Sequence, residues 1–397
     1  MTNLLPKVTL PHVVATRKNG DAAHRILTAE DYATAQAEIT AWDGYAETPL
    51  VSLKAIAAEI GVAEVLYKDE GPRFGLGSFK ALGGSYAALR VLQREISKQL
   101  GKDVSMADIR NGKHAAACAA ITLVSATDGN HGRSLAWGCQ RFGVPCRIYI
   151  HAEVSEGRAA AMADLGAEVI RITGDYDASV ALAKNEAEAN GWFVVSDTSW
   201  PGYSLPPRDV MTGYGVMVRE ICEATDPAPT HIFLQGGVGG LAAGVIAAMR
   251  QYWGDASPRV IIVEPELAAC LFESAKTGVA TNVAIAQETL MAGLSCGEPS
   301  QIAWEILAEE GSDYLTIPET LVAPSVRLLA TPMGDDPAIK AGESAVAGLA
   351  ALIAARDDSQ LSQKLGLDTT SRVLLIGSEG VTDAAIFDMI MQGRDAA

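Results

Sequence analysis

Short apolar runs of four to six residues recur along the chain, separated by longer stretches in which apolar side chains return every three or four positions. The runs "VLYK" (65–68), "ITLVSA" (121–126), "CRIYIH" (146–151), "EVIRIT" (168–173), "WFVVS" (192–196), "HIFLQ" (231–235), "RVIIVE" (259–264) and "RVLLIG" (372–377) are rich in Val, Ile and Leu. They read as strands buried on both faces. The intervening segments, such as "HGRSLAWGCQRFG" and "LAAGVIAAMRQYW", carry the helical period and read as crossover helices. The pattern predicts an α/β fold built on parallel sheets flanked by helices. Strand and helix alternate fastest between 121 and 196, which predicts a small α/β domain over 87–196 inserted in a larger one, 1–86 and 197–397. "DTSWPGYSLPPRD" (197–209), with three prolines and a glycine, is the expected crossing between them.

Composition narrows the partners. The 397 residues hold 31 basic and 48 acidic side chains, a formal charge of −17, with no long basic cluster. Nucleic acid and anionic membrane are therefore unexpected. The longest apolar run, "AVAGLAALIAA" (345–355), is shorter than the roughly 20 residues a spanning helix needs. "MTNLLPKVTLPHVV" has no charged start followed by a long apolar block, so a cytoplasmic enzyme without a secretory leader is expected. Cysteines 118, 139, 146, 222, 270 and 296 show no metal-ligand spacing and read as free thiols. A pairing of Cys270 with Cys296 is left open.

Four stretches carry candidate chemistry. In "GLGSFKALGGSY" (75–86), Lys80 opens a helix, the wrong end for a cation in the helix dipole, among Ser78, Phe79, Ala81 and Leu82. Such neighbours desolvate an amine and favour a nucleophilic, Schiff-base-forming lysine. Gly75, Gly77, Gly83 and Gly84 imply close approach of the backbone to another group. "SATDGNHGRS" (125–134) places Asp128, Asn130 and His131 between a strand and a helix, where turn formation and capping compete with anion binding. "LQGGVGGLAAGV" (234–245) is a glycine loop after a strand, suited to a phosphate. Gly237, Gly239 and Ala242 also fit a dinucleotide fingerprint, with Glu264 near the spacing of about 20 residues expected of the ribose-binding acid. Ser378, in "IGSEGVTDA" (377–385), follows the last strand and either caps a helix or faces a ligand.

Taken in order, these stretches resemble the tryptophan-synthase-β-like family of pyridoxal 5′-phosphate enzymes, fold type II, over nearly the whole chain. "RFGLGSFKALGGSYA" (73–87), "SATDGNHGRSLAWG" (125–138), "SDTSWPGY" (196–203) and "MAGLSCGEPS" (291–300) are similar to its ammonia-lyases acting on 2,3-diaminopropionate. The resemblance implies that Lys80 bonds the cofactor covalently, that Phe79 packs near its ring and that Asn130 contacts its phenolic oxygen. It implies further that Gly236, Gly237, Gly239 and Gly240 bind the phosphate, and that Ser378 faces the pyridine nitrogen, where a hydroxyl leaves that nitrogen largely unprotonated. The reaction implied is α,β-elimination of ammonia from 2,3-diaminopropionate, L and D, giving pyruvate and ammonia. Lys80 then serves as base for the L-isomer and Asp128 for the D-isomer, while Asp197 binds or protonates the leaving amine. No metal is implied, and a homodimer is. The alternatives are a serine, threonine or hydroxyaspartate dehydratase of the same fold and, more distantly, a nicotinamide-dinucleotide-binding protein, which gives Lys80 no task.

Overall fold

The computed structural model describes residues 4–16, 18, 20–127, 129–174, 176–310 and 312–394. Eleven strands lie among them: β1 (His12–Val14), β2 (Leu50–Ser52), β3 (Glu64–Asp69), β4 (Leu123–Ala126), β5 (Cys146–Ile150), β6 (Glu168–Arg171), β7 (Phe193–Val194), β8 (His231–Gln235), β9 (Arg259–Pro265), β10 (Asp313–Ile317) and β11 (Arg372–Gly377). Each of the eight apolar runs read above as a strand becomes one of these strands. The chain divides into two units, one of residues 1–29, 47–78 and 217–397, the other of residues 30–46 and 79–216.

The larger unit is built on a seven-stranded sheet in the order β1-β10-β9-β8-β11-β3-β2. Its five inner strands run parallel, and the three-residue edge strands β1 and β2 pair antiparallel. β8 and β10 are buried along their whole length, and their side chains pack on helices covering both faces. The core on one face joins Val65, Tyr67, Phe233, Ile261, Val263, Val373 and Leu375 from the sheet to the helix Ala347–Asp357. β10 is absent from the expected strands because "DYLTI" opens on a charge. Asp313 is buried there against Arg259 (2.7 and 3.0 Å) and His12 (2.8 Å), partners remote in sequence.

Beside β3 lies a closed cluster of buried charges. Arg73 donates from Nε and Nη2 to Glu70 (2.8 and 2.7 Å), and from Nη1 and Nη2 to Glu220 (2.8 and 2.7 Å). Lys68 Nζ donates to Glu220 Oε2 (2.6 Å) and to the Thr48 carbonyl (2.7 Å). The Thr48 hydroxyl donates to Glu70 (2.5 Å). Two cations face two carboxylates, so each charge taken out of water keeps a partner.

The smaller unit holds a four-stranded parallel sheet, β6-β5-β4-β7, with helices Asn130–Phe142 and Tyr176–Asn190 among those packed on it. It is larger than the 87–196 expected. The helix Lys80–Leu100 belongs to it from its first turn, because that turn is gripped by its neighbours. A Cβ on Gly84 would stand 2.7 Å from Ser134 Oγ, and one on Gly83 would stand 2.6 Å from Tyr214 and 2.8 Å from Val210. The Ser85 hydroxyl donates to the Ser134 carbonyl (2.6 Å). The proline-rich stretch is not the crossing either. Pro206 and Pro207 start the helix Leu205–Gly213, where their missing N–H groups cost nothing, and the chain leaves the unit after Val216. No helix among the described residues is long and apolar enough to cross a membrane.

Candidate active site

In the smaller unit, Lys80 is the first residue of its helix, and its Nζ donates to Asp197 Oδ2 at 2.7 Å. Both side chains are about one-fifth exposed, at 22% and 18%. The lysine is thus held against a carboxylate as well as among the buried neighbours Phe79, Ala81 and Leu82. Burial would push the Asp197 carboxyl up, but the Lys80 ammonium and the hydrogen bond it donates hold it well below the usual carboxylate range. Asp197 follows β7 in a latched loop. The Tyr203 hydroxyl accepts from the Ser196 N–H (2.9 Å) and donates to the Val194 carbonyl (3.0 Å), while the Trp200 and Tyr203 rings stack at 3.9 Å. Phe79 packs on Tyr214 with the rings tilted by 59° and their centres 4.7 Å apart.

Asn130 and His131 open the helix Asn130–Phe142. Asn130 is half-buried, whereas His131 is buried, with Nε2 2.9 Å from the Val195 carbonyl and Nδ1 3.9 Å from Asp197 Oδ2. In the sequence His131 is only a neighbour of the Asx residues; its place beside Asp197 depends on a contact across 66 positions that no local pattern records. Asp128 lies outside the described residues. At Gly83 and Gly84 the close approach is to Val210, Tyr214 and Ser134 of the protein itself.

In the larger unit, the glycine loop leaves β8 and enters the helix Gly240–Trp253. Gly237 (φ +61°) and Gly239 (φ +94°) take left-handed backbone, which a side chain would strain. No side chain caps the helix, leaving its start to main-chain N–H groups. Gly236 has another constraint, since a Cβ there would stand 2.4 Å from Glu264 Cγ. Glu264 is fully buried and accepts from the N–H groups of Leu271 (3.1 Å) and Phe272 (2.7 Å). Burial pushes its carboxyl up to about 8 against those hydrogen bonds. A carboxyl group with both oxygens committed to a helix start has none turned to a ribose, which removes the structural basis of the dinucleotide reading. Gln235 Nε2 donates to the Ile376 carbonyl (2.7 Å), tying the ends of the adjacent strands β8 and β11. The glycine loop and the buried Ser378 therefore emerge side by side at the carboxyl edge of the sheet, where open α/β sheets bind ligands. All six cysteines are free, and Cys270 Sγ donates to the Gly237 carbonyl (3.5 Å).

Residues 41–379 match the model of a family described as pyridoxal-phosphate dependent enzyme. The chain belongs to that family. A diaminopropionate ammonia-lyase of Escherichia coli (strain K12) is 37% identical over 360 residues, 89% of each chain. The crystal structure of diaminopropionate ammonia lyase from Escherichia coli in complex with D-serine matches with a TM-score of 0.89 and 34% identity, covering 99% of both chains. The same enzyme in complex with an aminoacrylate-PLP azomethine reaction intermediate matches with a TM-score of 0.87 and 32% identity, again over 99% of both. The fold is thus fold type II, and the cofactor is pyridoxal 5′-phosphate. The chain has the groups this cofactor needs: a primary amine at a buried helix start, an uncapped glycine-rich helix start for a phosphate, and a buried hydroxyl beside it.

Proposed function

We propose that this chain is a carbon–nitrogen lyase that eliminates ammonia from 2,3-diaminopropionate, the net change being one water consumed and one pyruvate and two ammonia released. The observation that carries the reading is the Lys80–Asp197 pair, a lysine at a helix start held 2.7 Å from a carboxylate, in a chain 37% identical to a diaminopropionate ammonia-lyase. Bound pyridoxal phosphate supplies the electron sink at the substrate's Cα. Lys80 holds the cofactor covalently, and its Nζ takes the Cα proton of an L-substrate. Asp128 takes the Cα proton of a D-substrate from the opposite face. Asp197 keeps its negative charge and holds the ammonium at Cβ, which leaves as ammonia. Main-chain N–H groups at Gly237 and Gly240 bind the phosphate, whereas those of Gly236 and Gly239, expected to join them, donate to the Val263 and Gly236 carbonyls (2.9 and 3.2 Å) and shape the loop instead; Asn130 meets the phenolic oxygen, Phe79 flanks the ring, and Ser378 meets the ring nitrogen without charging it. The enzyme works as a cytoplasmic homodimer, as the resemblance of its motifs to the family implies.

The test is a parallel assay of pyruvate release from L- and D-diaminopropionate, serine, threonine and hydroxyaspartate. Diaminopropionate should be turned over fastest; a preference for a hydroxy amino acid would establish a dehydratase instead. Asp128→Asn should remove D-isomer turnover and spare the L-isomer, and equal loss of both would refute the two-base assignment. Lys80→Ala should abolish the visible absorbance of the holoenzyme.

A further inference from the structure

His131 is buried, 2% exposed, yet only one of its ring nitrogens is satisfied. The Val195 carbonyl, 2.9 Å from Nε2, can only accept, so Nε2 carries the hydrogen. Burial pushes the imidazole down from its ordinary value, outweighing the opposing pull of Asp197. In the neutral ring Nδ1 is then a bare lone pair, and it finds no hydrogen-bond partner among the described residues. The polar atom beside it, Asp197 Oδ2 at 3.9 Å, is another acceptor and cannot satisfy it. Two acceptors, one of them charged, converge on a place suited to a cationic donor with more than one N–H. In this structure the Lys80 ammonium occupies the Asp197 side of that place. A lysine engaged with a cofactor leaves the place to the substrate.

Resting on the function proposed above, we infer that His131 is a specificity-determining residue, its Nδ1 accepting a hydrogen bond from the second ammonium of a diamino acid while Asp197 Oδ2 accepts another. An ammonium offers three donors and a positive charge to these two acceptors. A β-hydroxyl offers one donor and no charge, so it leaves one buried acceptor unpaired. Sites of this kind discriminate by what the wrong ligand leaves unsatisfied. One such acceptor corresponds to roughly a tenfold to hundredfold preference.

Two probes lacking the Cα hydrogen, α-methyl-2,3-diaminopropionate and α-methylserine, bind without elimination, and holoenzyme absorbance reports their affinities. His131→Leu should reduce the diamino-to-hydroxy affinity ratio roughly tenfold or more, leaving α-methylserine within about threefold. His131→Gln, whose amide both donates to Val195 and accepts on the other side, should restore most of the ratio. An unchanged ratio in His131→Leu, or an equal loss for both probes, overturns the inference. Should that variant fail to fold, nitrogen-15 NMR of the unaltered holoenzyme decides: the His131 Nδ1 resonance should move with α-methyl-2,3-diaminopropionate and stay with α-methylserine, and a static resonance is contrary. Failure of the underlying reading looks different, because the wild-type enzyme would then release no ammonia from diaminopropionate at all.

Discussion

Replacing Gly213 by alanine would put a methyl group 2.4 Å from the Leu82 carbonyl oxygen, 2.9 Å from its carbon and 3.1 Å from Gly83 Cα. All three atoms are main chain, so no rotamer change relieves the clash; the helix Leu205–Gly213 must move away from the helix that begins at Lys80. Overpacking of this kind costs about 1–3 kcal/mol, and contacts well under 3 Å place it at the upper end. Better helix propensity offsets at most about 1 kcal/mol, giving a net loss of about 2 kcal/mol. Gly157 is the control. It lies in the helix Glu156–Ala163 with nothing within 4 Å of a would-be Cβ, so Gly157→Ala should stabilise by about 0.5–1 kcal/mol. Urea unfolding followed by tryptophan fluorescence suits the comparison, since Trp42, Trp137, Trp192 and Trp200 all lie in the same unit as both glycines. Leu82 is two residues from Lys80, so Gly213→Ala should also weaken cofactor retention, read from absorbance after dialysis. A Gly213→Ala protein as stable as wild type would refute the close-contact reasoning.

Three further outcomes are expected. Glu264, whose carboxyl rises from 4.5 to about 8 on folding, favours the folded state fully below pH 4.5, and that contribution fades as pH climbs towards 8. The stability of wild type relative to Glu264→Gln should therefore fall over this interval, with a slope of at most about 1.4 kcal/mol per pH unit in chemical denaturation; a pH-independent difference would contradict it. Glu220→Gln leaves Lys68 and Arg73 buried with Glu70 as the remaining carboxylate of the cluster, and should cost about 3–5 kcal/mol in the same measurement. Tyr203→Phe removes both hydrogen bonds that fix the chain beside Asp197, and kcat/KM for diaminopropionate should fall about tenfold while cofactor absorbance is retained.

Much of the larger architecture was legible because parallel strands buried on both faces leave a plain mark, and "HIFLQ", "RVIIVE" and "RVLLIG" each became one. β10 escaped because the cost of its opening Asp313 is met by His12 and Arg259, far away in sequence. The domain boundary was misplaced for a related reason. Prolines signal a turn or a helix start equally well, and Ser204–Pro207 chose the latter. At the candidate site, Lys80 and the glycine loop stood out through local oddity. The individual tasks of the glycines did not, since what a missing Cβ admits, whether Ser134 at Gly84 or Glu264 at Gly236, is set by tertiary packing. His131 had no distinguishing local feature.

The buried charge cluster around Arg73 also bears on how this chain can be rebuilt. Thr48, Arg73 and Glu220 stand within a few residues of the crossings at 46/47, 78/79 and 216/217, and all three meet in one hydrogen-bonded knot inside the larger unit. The long excursion 79–216 therefore departs and returns at neighbouring points, which is the arrangement domain insertion requires. That excursion carries Lys80, Asn130, His131 and Asp197 together, whereas the phosphate loop and Ser378 stay behind. Exchange of 79–216 together with 30–46, the rest of the same unit, is accordingly the cassette with which the proposed leaving-group assignment can be tested between relatives, with the knot marking where to cut.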